Sequence, residues 1–165
     1  MRAPLSRIKK IAAMVSTSAA ATAIAVAATA APALAWTAGP YTATLSGNMT
    51  IDAGTAVTCS GSTLSGDLAA DGSLTVTSAG ISGCPVGVEP QDLPWSGSLG
   101  GGNASISGFS VEALGCTYGG TINGTYSGGD TLPATVTFSN QKVSATGGFC
   151  LVQSVTLTAT YVFSQ

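Results

Sequence analysis

Along the stretch YTATLSGNMTI the side chains alternate. Tyr41, Ala43, Leu45, Met49 and Ile51 fall on one side of an extended backbone, and Thr42, Thr44, Ser46, Asn48 and Thr50 fall on the other. The same period of two recurs in CTYGGTINGTY, in LPATVTF and in the final SVTLTATYVFS, where Val155, Leu157, Ala159, Tyr161 and Phe163 line up. A period of two is the mark of a strand with one face buried. The other face is rich in threonine, whose branched side chain suits a pleated surface. Past residue 35 no segment carries a convincing period of 3.6. The pattern predicts an all-β domain of nine or ten short antiparallel strands, either a β-sandwich or a small closed barrel.

The punctuation agrees with this reading. Ala70-Asp71-Gly72 lies between SGDL and SLTVTS and predicts a hairpin turn. Gly128-Gly129-Asp130 predicts a second, looser one. In ASISGFSVEA the apolar parity changes: Ala104 and Ile106 are even, whereas Phe109, Val111 and Ala113 are odd. Gly108 sits at the change, so a bulge or sharp bend is expected there.

The first 35 residues follow a different rule. Arg2, Arg7, Lys9 and Lys10 precede an Ala-rich apolar run from Ile11 to about Ala30, and Ala33-Leu34-Ala35 supplies small residues at the end. This is the layout of a secretory signal peptide with cleavage before Trp36. The chain is therefore divided into residues 1–35, an export signal, and residues 36–165, a single β domain. The expected location is extracellular or cell-surface, reached by a Sec-type route, with no stable membrane span once the signal is removed.

Charge then narrows the chemistry. Residues 36–165 keep one base, Lys142, against seven acids, a formal charge of −6. They contain neither arginine nor histidine. One lysine cannot neutralise a run of phosphates, so a nucleic-acid partner is excluded. Without imidazole there is no Ser-His-Asp or Cys-His site and no histidine-ligated zinc or copper. No GxxxxGK[ST] loop is present. Nothing points to a cofactor.

What remains are carboxylates, aromatics and cysteines. Glu89, Asp92 and Glu112 are candidates for the paired acids of a small hydrolase, since glycoside cleavage needs only two carboxyl groups at a suitable separation. Asp67, Asp71 and Asp130 are candidates for a calcium site, although no D-x-[DN]-x-[DN]-G loop is present. Scattered acids more often simply keep a protein soluble. Trp95, in GCPVGVEPQDLPWSG, is either a core side chain or a platform for stacking a sugar or hydrocarbon, with Trp36 and Tyr41 extending the same apolar surface.

Cys59, Cys84, Cys116 and Cys150 make an even count in an exported chain, which favours two disulfides over a metal site without any C-x-x-C pair. Three pairings are possible. Both Cys59–Cys84 and Cys116–Cys150 bracket a strand, a turn and a strand, so these two pairings are expected. Each loop closure stabilises by roughly 3–4 kcal/mol in the chain-entropy account.

The segments VTCSGSTLSGDL, LTVTSAGISGC, DLPWSG, ASISGFSVEALGC and ATVTFSNQKVSATGGFC occur in an order that resembles the alkane-oxidation activator family and its four-cysteine bacterial relatives. The likeness covers roughly residues 56 to 150. It implies an extracellular, non-enzymatic protein that helps cells deal with hydrophobic substrates, with no catalytic residues to transfer. The leading expectation is a secreted protein contacting hydrophobic or cell-wall surfaces. A carbohydrate-binding module using Trp95 and a carboxylate hydrolase are the alternatives. An outer-membrane barrel is a further one, because alternation alone does not say which face is inside.

Overall fold

The computed structural model describes residues 35–165, so all of the expected signal segment except Ala35 lies outside the described residues. The strands are β1 (Gly39–Leu45), β2 (Met49–Asp52), β3 (Ala56–Cys59), β4 (Gly61–Leu68), β5 (Ser73–Ser82) and β6 (Val88–Pro90). They continue with β7 (Trp95–Gly100), β8 (Asn103–Ala113), β9 (Cys116–Tyr126), β10 (Ala134–Gly148) and β11 (Ser154–Ser164). Every pairing is antiparallel. The ladder runs β1-β4-β5-β7-β8-β9-β10-β11, and β11 pairs back onto β1, closing an eight-stranded barrel.

Eleven strands stand where nine or ten were expected, and register gives the reason. β1 pairs one part of the β11 edge (Leu45↔Tyr161) and β2 pairs the next (Thr50↔Thr158), so the two are one edge interrupted at residues 46–48. β3 and β4 continue each other in the same way, broken at Ser60. β6 and β7 pair successive parts of β8. Three staves of the barrel are thus each broken in two.

The apolar face of the alternation points inward. In β11, Val155, Leu157, Ala159, Tyr161 and Phe163 are all buried. The outward face carries hydroxyls that pair across strands, Ser98 with Ser105 at 3.0 Å and Thr137 with Thr160 at 3.2 Å. A lipid-spanning barrel has the reverse polarity, with an apolar band outside. The parity change in β8 is a bulge between Ile106 and Phe109, with Gly108 at φ 75°. It keeps Ile106 and Phe109 both inside. A second bulge between Phe138 and Gln141 does the same for Phe138 and Val143 in β10.

The two ends of the barrel differ. At one end the β4–β5 turn folds over, with the Asp71 carboxylate accepting from the Ser73 N–H at 2.9 Å and from its hydroxyl at 2.6 Å. Those bonds hold the Asp71 carboxyl below its ordinary pKa. Trp36 plugs this end. Its indole N–H donates to the Leu99 carbonyl at 3.0 Å, and its ring packs on Tyr126 with centroids 5.5 Å apart. Gly72 must be glycine here: its φ is 85°, and a Cβ would run into the Leu99 carbonyl and the Trp36 indole. The middle is filled by aromatics. Tyr41 stacks on Phe163 at 5.3 Å, and Trp95 packs against Phe109 at 5.0 Å. Among the described residues no buried side-chain nitrogen or oxygen lacks a hydrogen-bond partner.

Candidate functional site

The opposite end is a mouth, and the local sequence at the mouth explains its shape. β8 and β9 are joined by only Leu114 and Gly115, with φ values of 53° and 77°. Positive φ at both central residues is the requirement of the tight hairpin turn that matches strand twist. Glycine meets it freely, whereas a leucine there is strained. The next connection, between β10 and β11, is held to the same turn. The Phe149 N–H donates to the Gly115 carbonyl at 3.0 Å, and the Cys116–Cys150 disulfide ties the loop to β9. The Tyr118 hydroxyl donates to the Val152 carbonyl at 3.1 Å.

Across the mouth, the Asp52 carboxylate accepts the Gly54 N–H at 2.8 Å and shapes the β2–β3 turn. The Cys59–Cys84 disulfide ties β3 to the segment that follows β5. Both bridges join the pairs expected from the sequence, and among the described residues no cysteine is free. Such bonding fits an oxidising compartment outside the cytoplasm.

Inside this collar lies an apolar cup of about 270 Å³. Its floor is Met49, Phe109 and Leu157, which also border a small void of about 10 Å³ beneath. Its walls include Ile81, Val88, Val111, Val143 and Val155. Among the described residues no ionisable side chain other than the Tyr118 phenol lines it, and that hydroxyl is already engaged. On the rim stand Leu114, Phe149 and Leu151, at 81%, 80% and 86% exposure. These are the exposed large hydrophobic side chains among the described residues, and all three surround one opening.

The aromatics singled out from sequence are elsewhere. Trp95 is 1% exposed, and its indole N–H is spent on the Gln91 carbonyl at 2.8 Å. Trp36 and Tyr41 are buried as well. Of the two readings of Trp95, the core side chain is the one found, and the exposed stacking platform extended by Trp36 and Tyr41 is corrected. Each ring falls on the inward parity of its strand or plugs the closed end, so no flat face is offered to a sugar. The carboxylates lie outside the barrel. Glu89 and Glu112 face each other in the β6–β8 ladder, exposed, and Asp92 accepts from the Ser110 hydroxyl at 2.9 Å. They border neither the cup nor the small void beneath it. Asp67 and Asp71 lie toward the closed end, where Asp130 accepts from the Tyr126 hydroxyl. Among the described residues no three His, Cys, Asp or Glu side chains are placed to hold a metal ion.

Rim residues were missed by periodicity because they belong to no strand. Their signal was compositional: Leu114, Phe149 and Leu151 are large apolar residues in turns and loops, next to cysteines, where polar residues are usual.

A family model described as alkane oxidation protein activator PraA/PraB-like matches residues 8–164. The chain belongs to this family. The match takes in both disulfides and the whole barrel, leaving out residues 1–7 and Gln165. No curated protein and no solved structure matches. Within this PraA/PraB-like chain, the mouth is the place where the fold departs from a filled core.

Proposed function

We propose that the protein is exported and acts, without catalysing a reaction, by contacting hydrophobic surfaces through the mouth of its barrel. The observation that carries this reading is the ring of Leu114, Phe149 and Leu151 around an uncharged cup. An apolar patch gathered at one place marks a contact site, whereas single exposed apolar residues do not. Burying each such side chain contributes about 1.5–3 kcal/mol. Strain points the same way. Leucine at position 114 sits at a φ that asparagine or glycine tolerates better, so the side chain is kept there at some cost to the fold. The family's description as an activator of alkane oxidation supports a partner of hydrocarbon character. Export is supported by the basic and Ala-rich start of the sequence and by the two disulfides.

The test is partition between water and hexadecane droplets. The protein is expected to adsorb, and the Leu114→Ser/Leu151→Ser double variant is expected to adsorb about a hundredfold less or weaker still, from the loss of two buried leucines. Wild-type protein remaining wholly in the aqueous phase, at low and at high salt, overturns the reading. Export is checked separately by N-terminal sequencing of protein from the culture medium, with a start at Trp36 expected.

A further inference from the structure

Resting on that surface reading, we propose that the cup behind the rim is a binding site for one neutral aliphatic hydrocarbon chain per protein molecule. Three observations carry this. The first is the space itself. Protein interiors are packed until few voids exceed a water molecule. The same strands that leave about 270 Å³ at the mouth leave only about 10 Å³ below the floor. Cavities walled by branched aliphatic side chains stay dry and take up apolar molecules.

The second is shape. The floor residue Phe109 and the rim-side residue Ala113 lie on one strand, four residues apart. That is a depth of roughly 13 Å. A deep slot of this kind suits an extended chain entered end-on.

The third is polarity and charge. The Tyr118 hydroxyl donates its proton to the Val152 carbonyl, and among the described residues no other side-chain group in the lining can pair with a ligand's polar head. A head group drawn inside would lose its water without replacement. Outside, the strand ends at this mouth carry Asp52, Glu89 and Glu112, all exposed. Lys142, the single cation among the described residues, is exposed on the outward face of β10. A carboxylate held at the opening would therefore meet mostly negative charge. The occupant that satisfies all three conditions is an uncharged alkyl chain, not a fatty acid.

The experiment titrates the purified, disulfide-bonded protein with n-decane and, separately, with decanoate at pH 8. Uptake of decane is expected to saturate at one molecule per chain, with decanoate at least tenfold weaker. Ala113→Phe, which fills the slot from its open side, is expected to reduce decane affinity at least tenfold. Val111→Phe does the same from the wall, and near-UV circular dichroism confirms that each variant is folded. Thr137→Val on the outer face serves as the control and is expected to bind like wild type. Uptake that rises without saturating, or that is unchanged in folded Ala113→Phe and Val111→Phe, overturns the site. So does decanoate binding as tightly as decane. Droplet adsorption is measured on the same wild-type sample. Adsorption without saturable uptake removes the site and leaves the surface reading. Saturable uptake without adsorption does the opposite.

Discussion

The closed end and the open end of this barrel are built from the same strands, yet they solve the problem of an exposed core differently. At the closed end a tryptophan is laid across the opening, its one polar atom bonded to Leu99 and its ring packed on Tyr126. At the open end the apolar side chains are left uncovered, and the loops around them carry more of the same. The lesson is that an uncovered mouth does not follow from closing a barrel. Among the described residues the chain has a way of plugging an end and uses it at one end alone.

Breaking what the two ends share should cost most. Trp95→Ala removes the largest of the fully buried side chains from between them, and about 3–5 kcal/mol of stability should go with it. Denaturant unfolding followed by tyrosine fluorescence measures this. Opening the collar comes next. Replacing Cys116 and Cys150 by alanine releases a closure of 34 residues, and Cys59 with Cys84 one of 25. Each pair should cost about 3–4 kcal/mol by chain entropy. Hydrogen exchange should show residues 114–118 and 149–153 loosening before the closed end does.

An alkaline titration probes the middle. Burial pushes the Tyr161 phenol up to about 12, against the opposing bond from the Ser62 hydroxyl at 2.8 Å. Burial, and then the Asp67 carboxylate, raise Tyr41 as well. An unfolded tyrosine titrates near 10, so the unfolded chain gives up its proton first. Stability is therefore full below pH 10 and should fall as pH rises from 10 toward 12. Thermal unfolding across that window checks the sign, and a flat profile would contradict it.

The smallest effect is the most telling for the comparison. Leu114→Asn relieves a strained backbone position while removing a rim side chain. We expect stability to rise by roughly 0.5–1 kcal/mol, as when a residue suited to its backbone conformation replaces one that is not. Droplet adsorption should fall in the same variant. If both quantities fall, the leucine is there for the fold.

How much of this could be seen in the sequence depends on range. Alternation in β11 and the parity change at Gly108 are local, and both were legible from neighbouring residues. The disulfide pairing was legible because each pair brackets its own hairpin. Closure was not. It rests on β1 meeting β11, residues 42–45 against 161–164, and nothing local specifies that register. The broken staves misled the strand count for a related reason: β1 and β2 are one edge only when seen from β11. The aromatics left two readings open, core side chain or platform, and burial decides for the first. Trp95, Trp36 and Tyr41 stood out because they are large and rare, but rarity says nothing about facing. The cup was invisible because it is a property of what eight strands fail to fill.

The polypeptide's two described ends meet near the plug. Gln165 donates through its side-chain amide to the Thr37 carbonyl at 2.8 Å, beside Trp36. A tether fixed to either of them, whether a linker to a bead or an attachment to a larger body, would hold the molecule by its base. The collar with its greasy lip would then point away from the support, like a suction cup on a stalk.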